Sequence, residues 1–533
     1  MTSIALNSRA GPVAVALLAT VATLATLAPG TTGPGVTCDE LYHVAVGKNL
    51  VSALRHQGPG FFAPGNIRRN FPWTPDGPPV HPPLGNWILG CTHHLFDPAP
   101  DNPSVISIAA ARFAPALAFG LLVLIVGLWT AQAEGALAGT VAAAAVLLVP
   151  RLFAHAHLAA LDMLTTLFFV AAVLAVAEAA RREGRWGYFA LAGVVWGLAL
   201  LTRMHGLLLL PPIAVWLCWR MGRRAAGPLA AWFAAGILTM FAGWPWLWLE
   251  PLDHLRQYLC TATGRQAINL FYLGEVWADR DVPWHYPWVM LVVALPAGLL
   301  LLGAAGLWSR CRQWKSEPGL TLVVSVAGFV LLVFTWPGVP VYDGVRLFLM
   351  VFPLWAIMVG VGAKWTAEHQ RLGRLSFRFR VAAVGLFVAL QGIGLVAYHP
   401  CQLSHYSLLV GGLGGADRLG FEATYWGDSI RESLLADAAR LADSEVVLFG
   451  PNLAPFQAPA VRISSPALMR SGVNLVGWDP NNPPPASLHT YAVIYHRKAD
   501  LTQVAGLLDS GRVVAEYNKQ GVWLVRVVEI GGK

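Results

Sequence analysis

Long apolar stretches separated by short polar ones run through the first three quarters of the chain. They lie at roughly 11–29, 105–130, 135–150, 155–180, 187–203, 205–219, 226–249, 286–308, 319–336, 345–363 and 381–397. A helix needs about 20 apolar residues to cross the hydrocarbon core of a bilayer. The pattern therefore predicts a polytopic α-helical membrane protein with about 11 transmembrane helices. Segment 135–150 is short for a span, and 187–203 with 205–219 also reads as one broken hairpin. Segment 11–29, with its short basic lead and Ala-rich centre, also fits a cleaved signal peptide.

Residues 30–104 form a long loop with an internal pattern of its own. In CDELYHVAVGKNLVSALRHQG, Leu41, Val44, Leu50, Val51 and Leu54 recur at helical spacing, which predicts an amphipathic helix on the membrane surface. Asp39 and Glu40 stand at its start, where the helix dipole favours acids. The segment VHPPLGNWILGCTHHLF predicts a second short amphipathic helix. Beyond residue 400 the pattern changes: RESLLADAARLA reads as a helix, and SEVVLFG, YAVIYHR, VVAEYN and VWLVRVV read as strands. The expected domains are a transmembrane unit, 1–399, that includes the loop 30–104, and a small soluble α/β domain, 400–533.

Charge orients the spans. With a cytoplasmic N-terminus, the inner segments carry 15 Lys/Arg over about 45 residues and the outer ones 10 over about 135, the bias of the positive-inside rule. An odd number of spans then places the C-terminal domain outside. Composition agrees: of 533 residues 56% are hydrophobic and 12% charged, and the mean hydropathy is +0.54. Soluble domains carry about 25% charged residues. The net charge of +8 is accounted for by the inner loops and implies no nucleic-acid partner.

Polar residues concentrate at the outer end. Asp162 lies within an apolar stretch, where a carboxylate normally faces a wet cavity or a partner. His155 stands seven residues before it and His157 nearby, either as metal ligands or as neutral interfacial histidines. Outer loops also hold Lys48, Arg55, Arg203 and Arg265, and the segment YDGVR supplies Tyr342, Asp343 and Arg346. Cys38 and Cys91 share one outer loop, as a disulfide pair or as two thiols.

Taken in order, Asp39-Glu40, then His81 to Leu84 (His-Pro-Pro-Leu), then Leu161 to Met163 (Leu-Asp-Met) resemble the protein O-mannosyltransferase family. These are GT-C-type membrane glycosyltransferases that use lipid-phosphate sugars, and they include the aminoarabinose transferase of lipid A. The segments YDGVRLFL and HPCQLSHYSLLVGGLGGADRLGFEATYWGD resemble bacterial members; the likeness covers most of residues 11–430.

The resemblance implies inverting transfer of a sugar, mannose in the best-known relatives, from a polyprenyl-phosphate donor to a glycan, lipid or protein acceptor outside the membrane. It maps the catalytic base onto Asp39, with Glu40 and Asp162 as further catalytic candidates. His81, Arg346, Tyr342, Arg265 and Lys48 become the candidates for substrate binding. Metal use varies in the family, and no ligand spacing here stands out. The C-terminal region does not resemble the β-trefoil of eukaryotic relatives, so a protein acceptor is not implied. A transporter or flippase of lipid-linked sugars is the competing class; it predicts paired halves and polar residues threading the bundle, and neither is evident.

Overall fold

The chain begins with α1 (Thr2–Leu24), and its first long loop holds α2 (Glu40–Gln57) and α3 (Leu84–Phe96). There follow α4 (Phe113–Glu134), α5 (Ala136–Leu147), α6 (Asp162–Arg181), α7 (Trp186–Thr202), α8 (Leu210–Met221) and α9 (Ala226–Gly243). A second loop contains α10 (Pro251–Thr263) and a hairpin of β1 (Asn269–Tyr272) and β2 (Glu275–Ala278). Next come α11 (Tyr286–Ala294), α12 (Ala297–Arg310), α13 (Pro318–Thr335), α14 (Val351–Glu368) and α15 (Phe377–Leu390). The structure, a computed structural model, describes residues 2–72, 77–102, 106–182, 185–264, 267–311, 316–369, 376–442, 445–481 and 490–531.

Among the described residues, five helical segments are long and apolar enough to cross a membrane: Ile108–Glu134, Leu161–Arg181, Met204–Gly243, Pro318–Thr335 and Phe377–Ala397. The pair α11–α12 makes a sixth if taken as one span, and Arg9–Leu24, Ala136–Leu147 and Trp186–Thr202 are apolar but shorter. By that measure the expected eleven spans become five or six. Breaks inside the apolar stretches account for part of the difference. α11 and α12 meet at 115°, because Pro296 has no N–H to continue the helix and favours the extended backbone of Leu295 (φ −81°, ψ 137°).

Two expected helix starts also move. The stretch read as 155–180 becomes helical in α6 only at Asp162, after a separate short helix, Pro150–His155. Asp162 therefore opens its helix, and His155 does not share a helix face with it. The stretch read as 345–363 starts as a 3₁₀ turn, Arg346–Phe348, and enters α14 at Val351.

α7 packs on α9, α12 on α14, and α14 on α5, while α2 and α3 pair across the first loop. The last pair touches through glycine: a Cβ on Gly90 would stand 2.1 Å from the Gly47 carbonyl oxygen. That contact brings the two helices to backbone distance near the middle of α2.

After residue 445 a five-stranded mixed sheet forms, in the order β4-β3-β5-β7-β6. β3 (Val446–Gly450) runs parallel to β4 (Asn474–Gly477) and to β5 (Thr490–Tyr495). β7 (Val522–Ile530) lies antiparallel to both β5 and β6 (Arg512–Lys519). Every residue of β5 is buried, as expected of a central strand covered on both faces. Val447, Phe449, Val493 and Tyr495 join the main core, whereas Leu448, Ala492 and Ile494 face Val504 and Leu507.

Candidate active site

Asp39 holds the N-cap position of α2, yet its side chain caps no backbone N–H. Its Oδ2 instead accepts from Nη2 of Arg346, and the side chain remains 29% exposed. Arg346 is buried at the start of its 3₁₀ turn, with its guanidinium 3.8 Å from the ring centre of Trp426. It also donates from Nε to Asp162 Oδ1 (3.1 Å) and Oδ2 (3.2 Å), and from Nη1 to Asp343 Oδ2 (3.3 Å). Asp162 Oδ1 accepts a second arginine, Arg203 Nη1, at 2.5 Å. His155 Nδ1 stands 4.0 Å from Asp162 Oδ2. Buried charges persist when paired and hydrogen-bonded, and these pairs join α2, α6, the end of α7 and the loop before α14 at one point.

Glu40, adjacent to Asp39, turns the other way. Its Oε1 accepts from Arg112 Nε (2.8 Å) and Ala159 N (2.7 Å); its Oε2 accepts from Arg112 Nη2, Thr37 N and Thr37 Oγ1 at 2.8, 2.8 and 3.1 Å. Arg112 further donates to the carbonyls of Leu27, Pro34 and Gly35. Glu40 and Arg112 are both fully buried. With both oxygens occupied, this carboxylate ties the loop to the bundle rather than facing the cleft.

Beside the ion-pair cluster opens a cavity of about 940 Å³. Its polar lining includes His81, Arg203, His205, Tyr258, Arg280 and Tyr342; its apolar walls are Leu207 and Leu208 from before α8, Val333 and Phe334 from α13, and Leu347. The Tyr258 hydroxyl and His205 Nδ1 are buried without a hydrogen-bond partner among the described residues. A cationic, polar end opening into an apolar trough suits an amphiphilic anion. Asp39, Asp162 and Asp343 each pair with arginine. Among the described residues no group of three or more His, Cys, Asp or Glu side chains is arranged around a metal position.

Of the residues singled out in the sequence, Asp39, Asp162 and Arg346 meet in the cluster, and His81 and Tyr342 line the cavity. His81 packs its ring 5.5 Å from that of His43. Lys48 lies nine residues beyond Asp39, about 13 Å along α2, and its Nζ donates to the Asn102 carbonyl. Arg55 pairs with Asp101 at the surface. Arg265 falls outside the described residues. Cys38 is a buried free thiol and Cys91 an exposed one, so they form no disulfide.

Sequence reasoning gave no role to Asp343, Arg497, Trp426 or His43. The one available signal was the Asp343-Gly344 step: both residues take positive φ (55° and 66°), a turn that Asp and Gly tolerate best.

Burial holds several histidines outside the apolar spans neutral. It lowers His43 to about 4, His405 to about 3 and His496 to about 4, from 6.5. Each binds fewer protons folded than unfolded, so its stabilisation is present above pH 6.5 and lost as the pH falls toward 4. Burial acts oppositely on Glu422, raised to about 7, and Asp428, raised to about 6, whose contributions fade as the pH rises through those values. The histidines outnumber the acids, so the unfolding midpoint in detergent should fall between pH 6.5 and 4. A midpoint that stays flat or rises on acidification contradicts this balance.

Part of the chain matches a known family, and the whole shares its fold with a protein of known structure. Residues 80–248 match the family described as dolichyl-phosphate-mannose-protein mannosyltransferase, in agreement with the resemblance read from the motifs. The chain aligns with the crystal structure of ArnT from Cupriavidus metallidurans bound to undecaprenyl phosphate, with TM-score 0.50, 16% identity and 98% coverage of both chains. The apo form of that protein gives the same values. The archaeal oligosaccharyltransferase AglB from Archaeoglobus fulgidus aligns with TM-score 0.49 and 13% identity, over 96% of this chain and 74% of that one. No curated protein matches the chain by sequence. The segment match and the fold together indicate a glycosyltransferase.

Proposed function

We propose that the chain transfers a sugar, with inversion, from a polyprenyl-phosphate carrier to an acceptor hydroxyl at the extracytoplasmic face. The observation that carries this reading is the run of pairs by which a partly exposed carboxylate, Asp39, connects through Arg346 and Asp162 to Arg203 in the wall of a largely apolar cavity. In the proposed step the acceptor oxygen bonds to the anomeric carbon as the bond from that carbon to the phosphate oxygen breaks. The acceptor proton passes to Asp39. The electron pair of the broken bond leaves with the lipid phosphate, whose charge is received by Arg203, with Tyr258, Arg280 and the neutral His81 beside it. Arg346 holds Asp39 in place; Asp162 orients both Arg346 and Arg203 and takes no proton. Glu40 fixes the loop. The carrier's hydrocarbon tail runs between Leu207–Leu208 and Val333–Phe334.

This reading places the N-terminus in the cytoplasm, the first loop and residues 400–533 outside, and the division of the chain near residue 400. Mannose is one candidate donor sugar among hexoses and pentoses. The test uses the full chain in liposomes with a panel of radiolabelled polyprenyl-phosphate sugars, nucleotide sugars run in parallel, and cell-envelope extract as acceptor. Turnover of one lipid-phosphate sugar, blocked by undecaprenyl phosphate, is the expected result. Turnover of nucleotide sugars alone, or sugar-lipid movement across the bilayer without transfer, overturns the reading.

A further inference from the structure

The arginine that aligns the catalytic carboxylate is itself held from the C-terminal sheet. Arg497 follows β5 and is 2% exposed. Its Nη1 donates to Asp343 Oδ1 (2.9 Å) and to the Tyr425 carbonyl, its Nη2 to the Asn269 carbonyl (3.0 Å), and its Nε to Asp500 Oδ2 (2.6 Å). One side chain thus joins the sheet to the linker before it, to the β1–β2 hairpin and to the loop before α14. Asp343 is the hinge of this arrangement. Its carboxylate spans two arginines, Arg497 on Oδ1 and Arg346 on Oδ2, from a backbone at φ 55° that a neighbour must hold. The order of pairs is Arg497, Asp343, Arg346, Asp39. Glu422 fastens the same segment by accepting from the N–H groups of Lys498 (2.6 Å) and Ala499 (3.0 Å).

We propose that Arg497 is a positioning residue of the transfer reaction, setting Arg346 against Asp39 through Asp343, so that the C-terminal domain completes the active site. The inference rests on the function proposed above. Removing Arg497 leaves Asp343 with one cation instead of two, and Arg346 is then drawn from Asp39 toward Asp343. A displacement of that kind costs turnover more than donor binding, because Arg203 keeps its own bond to Asp162 and the walls at Leu207, Leu208, Val333 and Phe334 belong to other elements.

The experiment measures transfer by the reconstituted full chain, using the radiolabelled lipid-phosphate sugar that the wild type turns over. R497Q should lower kcat by about 10- to 100-fold with the donor KM unchanged. R497K should recover part of the loss. D343N/R497Q should be no worse than R497Q, because both changes act on one chain of contacts. Should R497Q fail to fold, R497K and D343N carry the same test through kcat against KM.

Wild-type turnover with R497Q equally active overturns the proposal alone. So does a loss in R497Q that follows its unfolding midpoint and is not recovered by lysine, or a double variant whose loss is the product of the single losses. A wild type that transfers no sugar from any donor overturns the function and this proposal together.

Discussion

Asp39→Asn should lower sugar transfer by about 10²- to 10⁴-fold, the range for loss of a general base, while leaving the fold intact. Asparagine keeps an oxygen for the Arg346 Nη2 donor that now contacts Asp39, so the arginine need not move. It loses only the ability to take the acceptor proton. Donor binding should be unaffected, because Asp39 is not among the residues that line the cavity with Arg203 and the apolar walls. The measurement is kcat in liposomes beside an undecaprenyl phosphate titration. A variant with wild-type kcat would falsify Asp39 as the base.

Glu40→Ala acts on stability instead. It strands the guanidinium of Arg112, fully buried, and removes the acceptor used by the backbone N–H groups of Thr37 and Ala159. Deleting one partner of a buried ion pair costs about 3–5 kcal/mol, a large share of the roughly 5–15 kcal/mol that stabilises a typical native protein. The variant should unfold at a far lower temperature in detergent and accumulate poorly. Glu40→Gln, which still accepts hydrogen bonds, should lose less. Replacing both residues with apolar ones of similar size, E40L with R112M, should recover much of the loss, because no unpaired charge remains. Equal midpoints for Glu40→Ala and the wild type would mean that this pair holds nothing together. On the proposed reading the adjacent acids divide the work, Asp39 for chemistry and Glu40 for the frame.

That division was not legible in the sequence. Asp39 and Glu40 are one position apart, and only the helix phase decides which faces the cleft. Helices on the apolar stretches were legible, because an apolar run of that length has few other fates. Their breaks were not: only three-dimensional packing shows that 155–180 yields a short helix, a turn and then Asp162 at the head of α6. The strands of the C-terminal sheet were readable from β-branched and aromatic runs, but four-residue β4 and the β1–β2 hairpin were too short to carry a period. Arg346 drew notice through Tyr-Asp-Gly-Val-Arg, while its neighbours Arg497 and Trp426 lie 151 and 80 positions away. Pairings across such separations leave no local pattern.

The cavity's apolar walls, Leu207 and Leu208 on one side and Val333 and Phe334 on the other, have a kinetic meaning. On the proposed reading, a carrier held there stays in the bilayer while it reacts. The donor's effective concentration is then its mole fraction among membrane lipids. An organism can therefore throttle such an enzyme through the two-dimensional density of its carrier lipid, with no change in the amount of protein or of acceptor.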